Sequence, residues 1–110
     1  MFEYYQDKSN KKQRWRWRLK NKNGIVAISE EAFSSKKSVR RSIEAVQRLR
    51  GLNFYVYVDK KYKIRWRLTS KNGRTLAISP CGYDRTDKMR LIIREFEKLA
   101  KKALPVEVES

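Results

Sequence analysis

The sequence contains no histidine and a single cysteine, Cys81. Histidine is the commonest general base and a frequent metal ligand, so its absence argues against the usual acid–base and metal chemistry. One thiol cannot form an intrachain disulfide or a thiolate metal site, and Cys81 has no histidine that could activate it as a nucleophile. We therefore expect a protein that is not an enzyme and that uses no cofactor or metal.

Long apolar runs are also missing. No stretch of about 18 apolar residues could span a membrane, and the start Met1-Phe2-Glu3 lacks the basic and apolar segments of a signal peptide. None of the four glycines belongs to a phosphate-cradling motif. These absences predict a cytoplasmic or nucleoid-type location rather than secretion, with neither a membrane nor a small-molecule substrate as a partner.

Acidic residues are few. The chain has 12 Asp and Glu against 28 Lys and Arg, which gives a formal net charge of +16 over 110 residues. Such a protein repels itself unless it meets a polyanion, such as nucleic acid or an acidic protein tail. The charge is also local, because eight basic and no acidic residues lie between Lys8 and Lys22, and seven basic and none acidic between Lys60 and Gly82. This clustering favours nucleic acid as the partner.

What the sequence does contain is an internal repeat. Arg16-Trp17-Arg18-Leu19 recurs as Arg65-Trp66-Arg67-Leu68, and Lys22-Asn23-Gly24 recurs as Lys71-Asn72-Gly73 at the same offset. Ala27-Ile28-Ser29 recurs as Ala77-Ile78-Ser79, one residue further on. The chain therefore predicts one domain made of two units, residues 2–51 and 52–110.

Each unit is typical of three short strands followed by a helix. Asn23-Gly24 and Asn72-Gly73 are strong hairpin signals, because both residue types tolerate positive φ. The predicted strands cover Phe2 to Asp7, Arg14 to Lys20, Ile25 to Ser29, Phe54 to Asp59, Ile64 to Thr69 and Arg74 to Ser79. The tail Pro105 to Val108 alternates and predicts an additional edge strand.

The helices carry one apolar stripe each. Val39, Ile43, Val46 and Leu49 match Met89, Ile93, Phe96 and Leu99 at helical spacing, which indicates core positions. Ser34 or Ser35 is expected to cap the first helix, which ends near Arg50 before Gly51. Thr86 or Asp84 is expected to cap the second helix, which ends near Ala103. Helix residues such as Lys36 and Arg41 are predicted to face solvent.

The strands have two different faces, because successive side chains alternate across a sheet. Trp17 and Leu19 share one face with Trp15, and Trp66 and Leu68 share one with Ile64. These apolar faces must meet the helix stripes, so the arginines between them are predicted to lie on an open surface. Phe2, Tyr4, Phe54, Val56 and Val58 are predicted to face the helices, which places Tyr5, Tyr55 and Tyr57 beside the arginines.

Arginine beside tyrosine on a sheet suits nucleic acid, because guanidinium groups pair with phosphates and aromatic rings stack on bases. The alternatives are that the tyrosines pack across strands as ordinary β formers and that the arginines form a solvated face. The predicted nucleic-acid-binding residues are Arg14, Arg16, Arg18, Lys20, Arg65, Arg67, Tyr5, Tyr55, Tyr57, Lys8, Lys11, Lys12, Lys60, Lys61 and Lys63.

The order of these motifs, from an aromatic first strand through Arg-Trp-Arg-Leu, Lys-Asn-Gly and Ala-Ile-Ser to a Ser-rich helix start, resembles the YegP-like family. The likeness spans Phe2 to about Val108. It implies β3-α-β units in one antiparallel sheet with exchanged C-terminal strands, so that residues 106–108 pair with the first unit. A looser likeness is to PUR and Whirly single-strand binders, whose repeats carry four strands before the helix.

The sequence thus predicts an α+β fold in which two tandem β-β-β-α(-β) repeats form one antiparallel sheet with both helices on one face. The predicted function is binding of RNA or single-stranded DNA with little sequence specificity, since no helix-turn-helix pattern is present. Two alternatives remain at this stage, architectural binding of duplex DNA and an adaptor that binds an acidic protein. Homo-oligomerisation is compatible with the sequence.

Overall fold

A computed structural model describes residues 1–8, 14–48 and 53–109, and within them it contains seven strands and two helices. Both repeats have the predicted order of three strands and a helix, and a last strand follows the second helix. The elements are β1 Phe2–Gln6, β2 Trp15–Asn21, β3 Gly24–Ile28, α1 Lys36–Gln47, β4 Asn53–Val58, β5 Ile64–Thr69, β6 Thr75–Ile78, α2 Thr86–Ala100 and β7 Pro105–Glu107.

All seven strands join one sheet in the order β4-β5-β6-β3-β2-β1-β7. The three strands of each repeat form an antiparallel meander, and the two meanders meet where β3 pairs with β6 through Ile28 and Ile78. These residues are equivalent in the two repeats, so the junction lies on an approximate two-fold axis. The predicted α+β fold with two repeats in one sheet is confirmed.

The C-terminal strand crosses from the second repeat to the first. β7 pairs with β1, with Val106 opposite Glu3, as the family resemblance implies. This pair is parallel, however, so the expectation of a wholly antiparallel sheet is wrong at this edge. The reason is connectivity, because the chain returns from α2 to the far side of β1 and enters the sheet in the direction of β1.

The hairpins use their glycines rather than their asparagines for the left-handed conformation. Gly24 and Gly73 have φ of +133° and +83°, whereas neither Asn23 nor Asn72 has a positive φ. The Gly73 N–H donates to Ser70 O at 3.0 Å, which makes residues 70–73 a type I-like turn that ends on the glycine. The Asn-Gly signal thus located the turns correctly but only its glycine needs the special backbone geometry.

The serine that ends each Ala-Ile-Ser motif is a buried hydrogen-bonding residue. Ser29 Oγ accepts from the Trp17 N–H at 3.2 Å, and Ser79 Oγ accepts from the Trp66 N–H at 3.3 Å. The sheet register shifts on the same hairpins, directly after Leu19 and Leu68. The serines satisfy tryptophan N–H groups that would otherwise be buried beside an irregular ladder.

Both helices cover one face of the sheet. α1 packs on β1, β2 and β6, and α2 packs on β2, β3 and β5, so each helix reaches across the junction between the repeats. Trp17, Leu19, Trp66 and Leu68 are fully buried beneath them, as predicted. The helix stripes supply the opposing residues, Val39, Ile43, Val46, Met89 and Phe96 as buried residues and Ile93 and Leu99 as half-buried ones.

The helix starts follow the prediction in one case. Ser35 caps α1, because its Oγ accepts from the Ser38 N–H at 3.1 Å. The prediction for α2 is wrong, since Arg85 is the cap residue and makes no side-chain cap bond, while Asp87 lies in the first turn and suits the helix dipole. α2 ends at Ala100, short of Ala103, and the predicted end of α1 at residues 49–51 lies outside the described residues.

Val56 and Val58 depart from the expected burial. They alternate with the tyrosines of β4 as predicted, but 46% of Val56 and 61% of Val58 is exposed. The equivalent position to Val56 in β1 is Tyr4, which is 8% exposed. β4 is the last strand at its edge of the sheet, whereas β1 is covered by β7, so the second repeat buries less of its first strand.

Candidate nucleic-acid interface

The face of the sheet away from the helices carries the arginines. Arg16, Arg18, Arg65 and Arg67 are all half-buried, and they alternate with the buried tryptophans and leucines of β2 and β5. We call the side chains on this side of the sheet the open face. The strand alternation thus separates the arginines from the core as the sequence predicts.

Carboxylates from β1 and from the residue that follows it neutralise most of the open face in the first repeat. Arg18 Nε lies 2.7 Å from Glu3 Oε1, and Lys20 Nζ lies 3.9 Å from the same oxygen. Arg16 Nε lies 3.3 Å from Asp7 Oδ2. The sequence analysis missed these partners because it counted charges along one strand at a time. The pairing of neighbouring strands places acidic residues from outside the basic runs next to the arginines.

The second repeat has an equivalent pair at one end. Arg65 Nε donates to Asp59 Oδ2 at 2.7 Å, and Asp59 Oδ1 accepts from the N–H groups of Lys61 and Lys63 at 2.8 and 3.0 Å. The Lys63 ammonium pairs with Asp84. Arg65 and Lys63 are therefore bound within the protein and organise the turn between β4 and β5.

The carboxylates at this turn have altered acidities. The hydrogen bond from Arg65, followed by those from the backbone of Lys63 and Lys61, lowers the pKa of Asp59 to about 2. The hydrogen bond from Lys63 lowers the pKa of Asp84 and in turn raises the pKa of Lys63. Asp59 therefore stays ionised, and it neutralises Arg65, throughout the neutral and mildly acidic range.

Acid should loosen this turn through Asp59. The pKa of Asp59 is lower in the folded chain than the ordinary value of about 3.9, so its ionised form stabilises the folded state at pH values above about 4. That stabilisation is lost as the pH falls from about 4 towards about 2. Urea-unfolding midpoints measured across this range should fall more steeply for the wild type than for Asp59→Asn. Identical pH dependence in the two proteins would contradict the role assigned to Asp59.

Arg67 differs from its neighbours, because no described carboxylate pairs with it. Its guanidinium carbon lies 4.7 Å from the centre of the Tyr55 ring and 5.1 Å from that of Tyr57. The two tyrosine rings are stacked, with centres 5.9 Å apart and planes 25° apart. Tyr55 is 53% exposed. These three residues form what we call the tyrosine–arginine cluster.

The repeats differ at the position opposite the second arginine of the Arg-Trp-Arg-Leu motif. Glu3 lies opposite Arg18, and Tyr55 lies opposite Arg67 in the same register. The first repeat therefore has a carboxylate where the second has an exposed aromatic ring. Arg18 lies over the Tyr5 ring at 4.7 Å as well, but its charge is already paired with Glu3. In the first repeat, the arginines of the open face are paired with carboxylates. In the second repeat, the open face has Arg67, which no described carboxylate pairs with, and the rings of Tyr55 and Tyr57.

Apolar side chains connect the two halves. Ile28 lies opposite Arg18, and Ile78 lies opposite Arg67, so both isoleucines are on the open face at the centre of the sheet. Three strand spacings separate Arg18 from Arg67, or about 14 Å. The sequence analysis assigned these isoleucines no role. Each follows a buried alanine, Ala27 or Ala77, so strand alternation could have placed it on the open face.

The remaining predicted residues lie around this surface. Lys8, Arg14, Lys60 and Lys61 are exposed, with Lys60 and Lys61 in the turn after β4, and Lys11 and Lys12 lie outside the described residues. Sequence reasoning missed Tyr62 in the same turn, which is 87% exposed and has a φ of +63°. Its position between Lys61 and Lys63 is the sequence feature that could have identified it as a candidate. Within the described residues, no group of three potential metal-ligating side chains occurs.

Comparison with known proteins shows what the first repeat and the whole fold are similar to. The model of a family described as a domain of unknown function (DUF1508) matches residues 7–49, which is most of the first repeat. The family match covers the first repeat, and the second repeat carries the same Arg-Trp-Arg-Leu and Ala-Ile-Ser motifs. This match agrees with the YegP-like resemblance that the repeated motifs indicated.

Two solved structures share the fold over nearly the whole chain. A UPF0339 protein from Shewanella oneidensis superposes with a TM-score of 0.80 at 19% identity, covering 98% of this chain and 90% of that one. The protein of unknown function YegP from E. coli gives 0.73 at 20% identity, with 99% and 90% covered. Curated proteins give no match. None of the described helices combines the length and apolar character needed to cross a membrane.

Proposed function

We propose that this chain binds RNA or single-stranded DNA, without catalysis and with little sequence specificity, on the open face of its sheet. The observation that carries the proposal is the tyrosine–arginine cluster. Arg67 holds a positive charge that no described carboxylate neutralises, directly over two stacked rings, one of them largely exposed. The net charge of +16 supplies the long-range attraction for a polyanion.

The chemistry of the cluster favours unpaired strands. An exposed tyrosine ring stacks on a base only where that base has a free face, which a duplex hides. Arg67 can pair with a phosphate while its guanidinium remains over the rings, because guanidinium groups both stack and form hydrogen bonds. The central isoleucines offer an apolar floor between the two halves of the face, which suits a flexible chain of bases.

Low sequence specificity follows from the architecture. Both helices are packed on the opposite side of the sheet, so no helix is presented to a DNA groove. Stacking accepts every base, and phosphate contacts carry no sequence information. Base preference is therefore expected to be weak, and affinity to depend mainly on strandedness and salt.

A filter-binding competition among single-stranded RNA, single-stranded DNA and duplex DNA of equal length tests the proposal. We expect single strands to bind more tightly than the duplex, with log K falling against log salt at a slope of about −3.5 if about five phosphates are neutralised. A slope near zero would rule out an electrostatic interface. Tighter binding of the duplex would instead support an architectural mode on duplex DNA.

Arg67→Ala and Arg18→Ala form a matched pair for the same assay. Both residues occupy the same strand position in their repeats, but of the two only Arg18 has a carboxylate partner among residues 1–8, 14–48 and 53–109. We expect Arg67→Ala to weaken single-strand binding about tenfold, because it removes a charge-assisted phosphate contact, and Arg18→Ala to have a much smaller effect. Equal losses would show that the two halves of the open face contribute alike and that the cluster has no special role.

A further inference from the structure

A cavity of about 290 Å³ lies on the side of the sheet covered by the helices, away from the open face. Its walls come from α1, from the segment between β3 and α1, and from β6. The lining residues that matter chemically are Ser38, Arg41, Ser42, Arg74, Thr75 and Glu31. Two guanidinium groups and four hydroxyls, including that of the buried Ser29, therefore line a space in which Glu31 is the one acidic lining residue.

The serines of α1 place two hydroxyl groups at this cavity. Ser38, Arg41 and Ser42 are three and four residues apart, which places them on one side of the helix. Ser38 Oγ accepts from Ser35 Oγ at 3.0 Å, and Ser42 Oγ accepts from Trp17 Nε1 at 3.0 Å. In the described part of the chain neither hydroxyl donates to an acceptor, so each proton is available to a ligand oxygen.

The arginines add positive charge at the cavity. No ion pair to Arg41 occurs among the described residues, and its side chain is exposed. Arg74 Nη2 lies 3.4 Å from Glu31 Oε2, and both side chains are about half exposed or more. An exposed pair at that distance is weak, so a competing anion can take over the Arg74 guanidinium at little cost.

The second repeat shows that packing a helix on the sheet does not require these polar groups. A cavity in the related place between α2 and β3 also has a volume of about 290 Å³, although Asn21 and Asn23 line it rather than the segment after β6. Its wall has Leu91, Ile92 and Glu95 at the places of Arg41, Ser42 and Ala45. The fold thus builds both cavities, but only the first carries a convergent set of cationic and hydroxyl donors.

We propose that the first cavity binds a phosphate monoester. Two guanidinium groups and two serine hydroxyls match the several oxygens and the negative charge of such a group, and arginine pairs with phosphate in a two-point geometry. The volume lies at the lower end of the range for small-molecule sites, enough for a phosphate and part of its substituent. The site is independent of the open face, because it lies on the other side of the sheet.

Trp17 provides a built-in reporter for an NMR titration. Its indole N–H is bonded to Ser42 at the cavity wall, whereas the Trp66 indole has no described partner and does not line the cavity. We expect adenosine 5′-monophosphate and inorganic phosphate to shift the Trp17 indole signal with Kd values of about 1 mM or lower, and adenosine to leave it unchanged. Oligonucleotides with and without a 5′-phosphate distinguish a strand end from a free nucleotide as the source.

Arg41→Gln and Arg40→Gln are the matched variants, because both remove one exposed charge from α1 and only Arg41 lines the cavity. Arg41→Gln should weaken the binding of adenosine 5′-monophosphate about tenfold, and Arg40→Gln should change it less than twofold. Equal losses in the two variants would overturn the proposal in favour of diffuse attraction. A Trp17 indole signal that does not move with phosphate, or that moves equally with adenosine, would overturn it as well.

Discussion

A Tyr55→Ala, Tyr57→Ala double variant is expected to lose between about tenfold and a hundredfold of its affinity for single-stranded RNA and to keep most of its affinity for duplex DNA. Stacking contributes about 1–3 kcal/mol per base and needs a base with a free face. The two rings are stacked on each other beneath Arg67, so their loss also removes the support that orients this guanidinium. Fluorescence anisotropy with labelled RNA and duplex DNA measures both effects.

Tyr55→Phe with Tyr57→Phe is the control, and it should preserve most of the binding because the ring matters more than the hydroxyl. Equal losses on RNA and duplex DNA in the alanine variant would indicate a general structural effect. No loss on either ligand would leave the arginines and lysines as the interface, and binding of duplex DNA through phosphate contacts would then become the better account of the protein.

Trp66→Ala is expected to lower the free energy of unfolding by about 3–5 kcal/mol. Trp66 is fully buried, and its ring contacts Phe54 and Phe96 edge to face, with centres 5.4 and 5.6 Å apart. An Arg67→Ala variant on the opposite side of β5 should change stability by no more than about 1 kcal/mol, since it removes only partly exposed contacts with two tyrosine rings. Urea denaturation followed by tryptophan fluorescence or circular dichroism gives both values.

Phenylalanine variants separate packing from hydrogen bonding. Trp17 Nε1 donates to Ser42 Oγ at 3.0 Å, whereas Trp66 Nε1 is buried with no partner among the described residues. Trp17→Phe should therefore cost about 1 kcal/mol more than Trp66→Phe, because it alone breaks a bond. If the tryptophan variants stayed fully stable while Arg67→Ala unfolded the protein, the assignment of the two faces would be reversed.

Much of the fold could be predicted because its signals are local. The repeated Arg-Trp-Arg-Leu motif established two units, and alternation within it placed Trp17 and Trp66 in the core and the arginines outside. Gly24 and Gly73 located the hairpins. The matching stripes on the two helices indicated which sides face the sheet. Each of these signals depends on residues within one strand, turn or helix, where period and backbone geometry are properties of the sequence itself.

The candidate site was only partly predictable because its contacts join residues from different strands. Basic runs along single strands suggested two equivalent arginine rows, but Glu3, Asp7 and Asp59 come from neighbouring strands and neutralise three of the arginines. Which residues face each other across a pair of strands depends on register, and a one-residue slip would change every partner. The sequence therefore indicated which side of the sheet carries the arginines but not that Arg67 is the one that no described carboxylate pairs with.

The sequence by itself determined the two repeats, the separation of apolar from basic faces and the excess of positive charge. Tertiary structure decided that β7 runs parallel to β1, that Glu3 rather than a tyrosine lies opposite Arg18, and that Arg67 lies over Tyr55 and Tyr57. It also placed Arg41 and Arg74, 33 residues apart, around one cavity. Periodicity follows from the chain's own geometry, whereas these contacts depend on how distant segments meet when the whole core is buried.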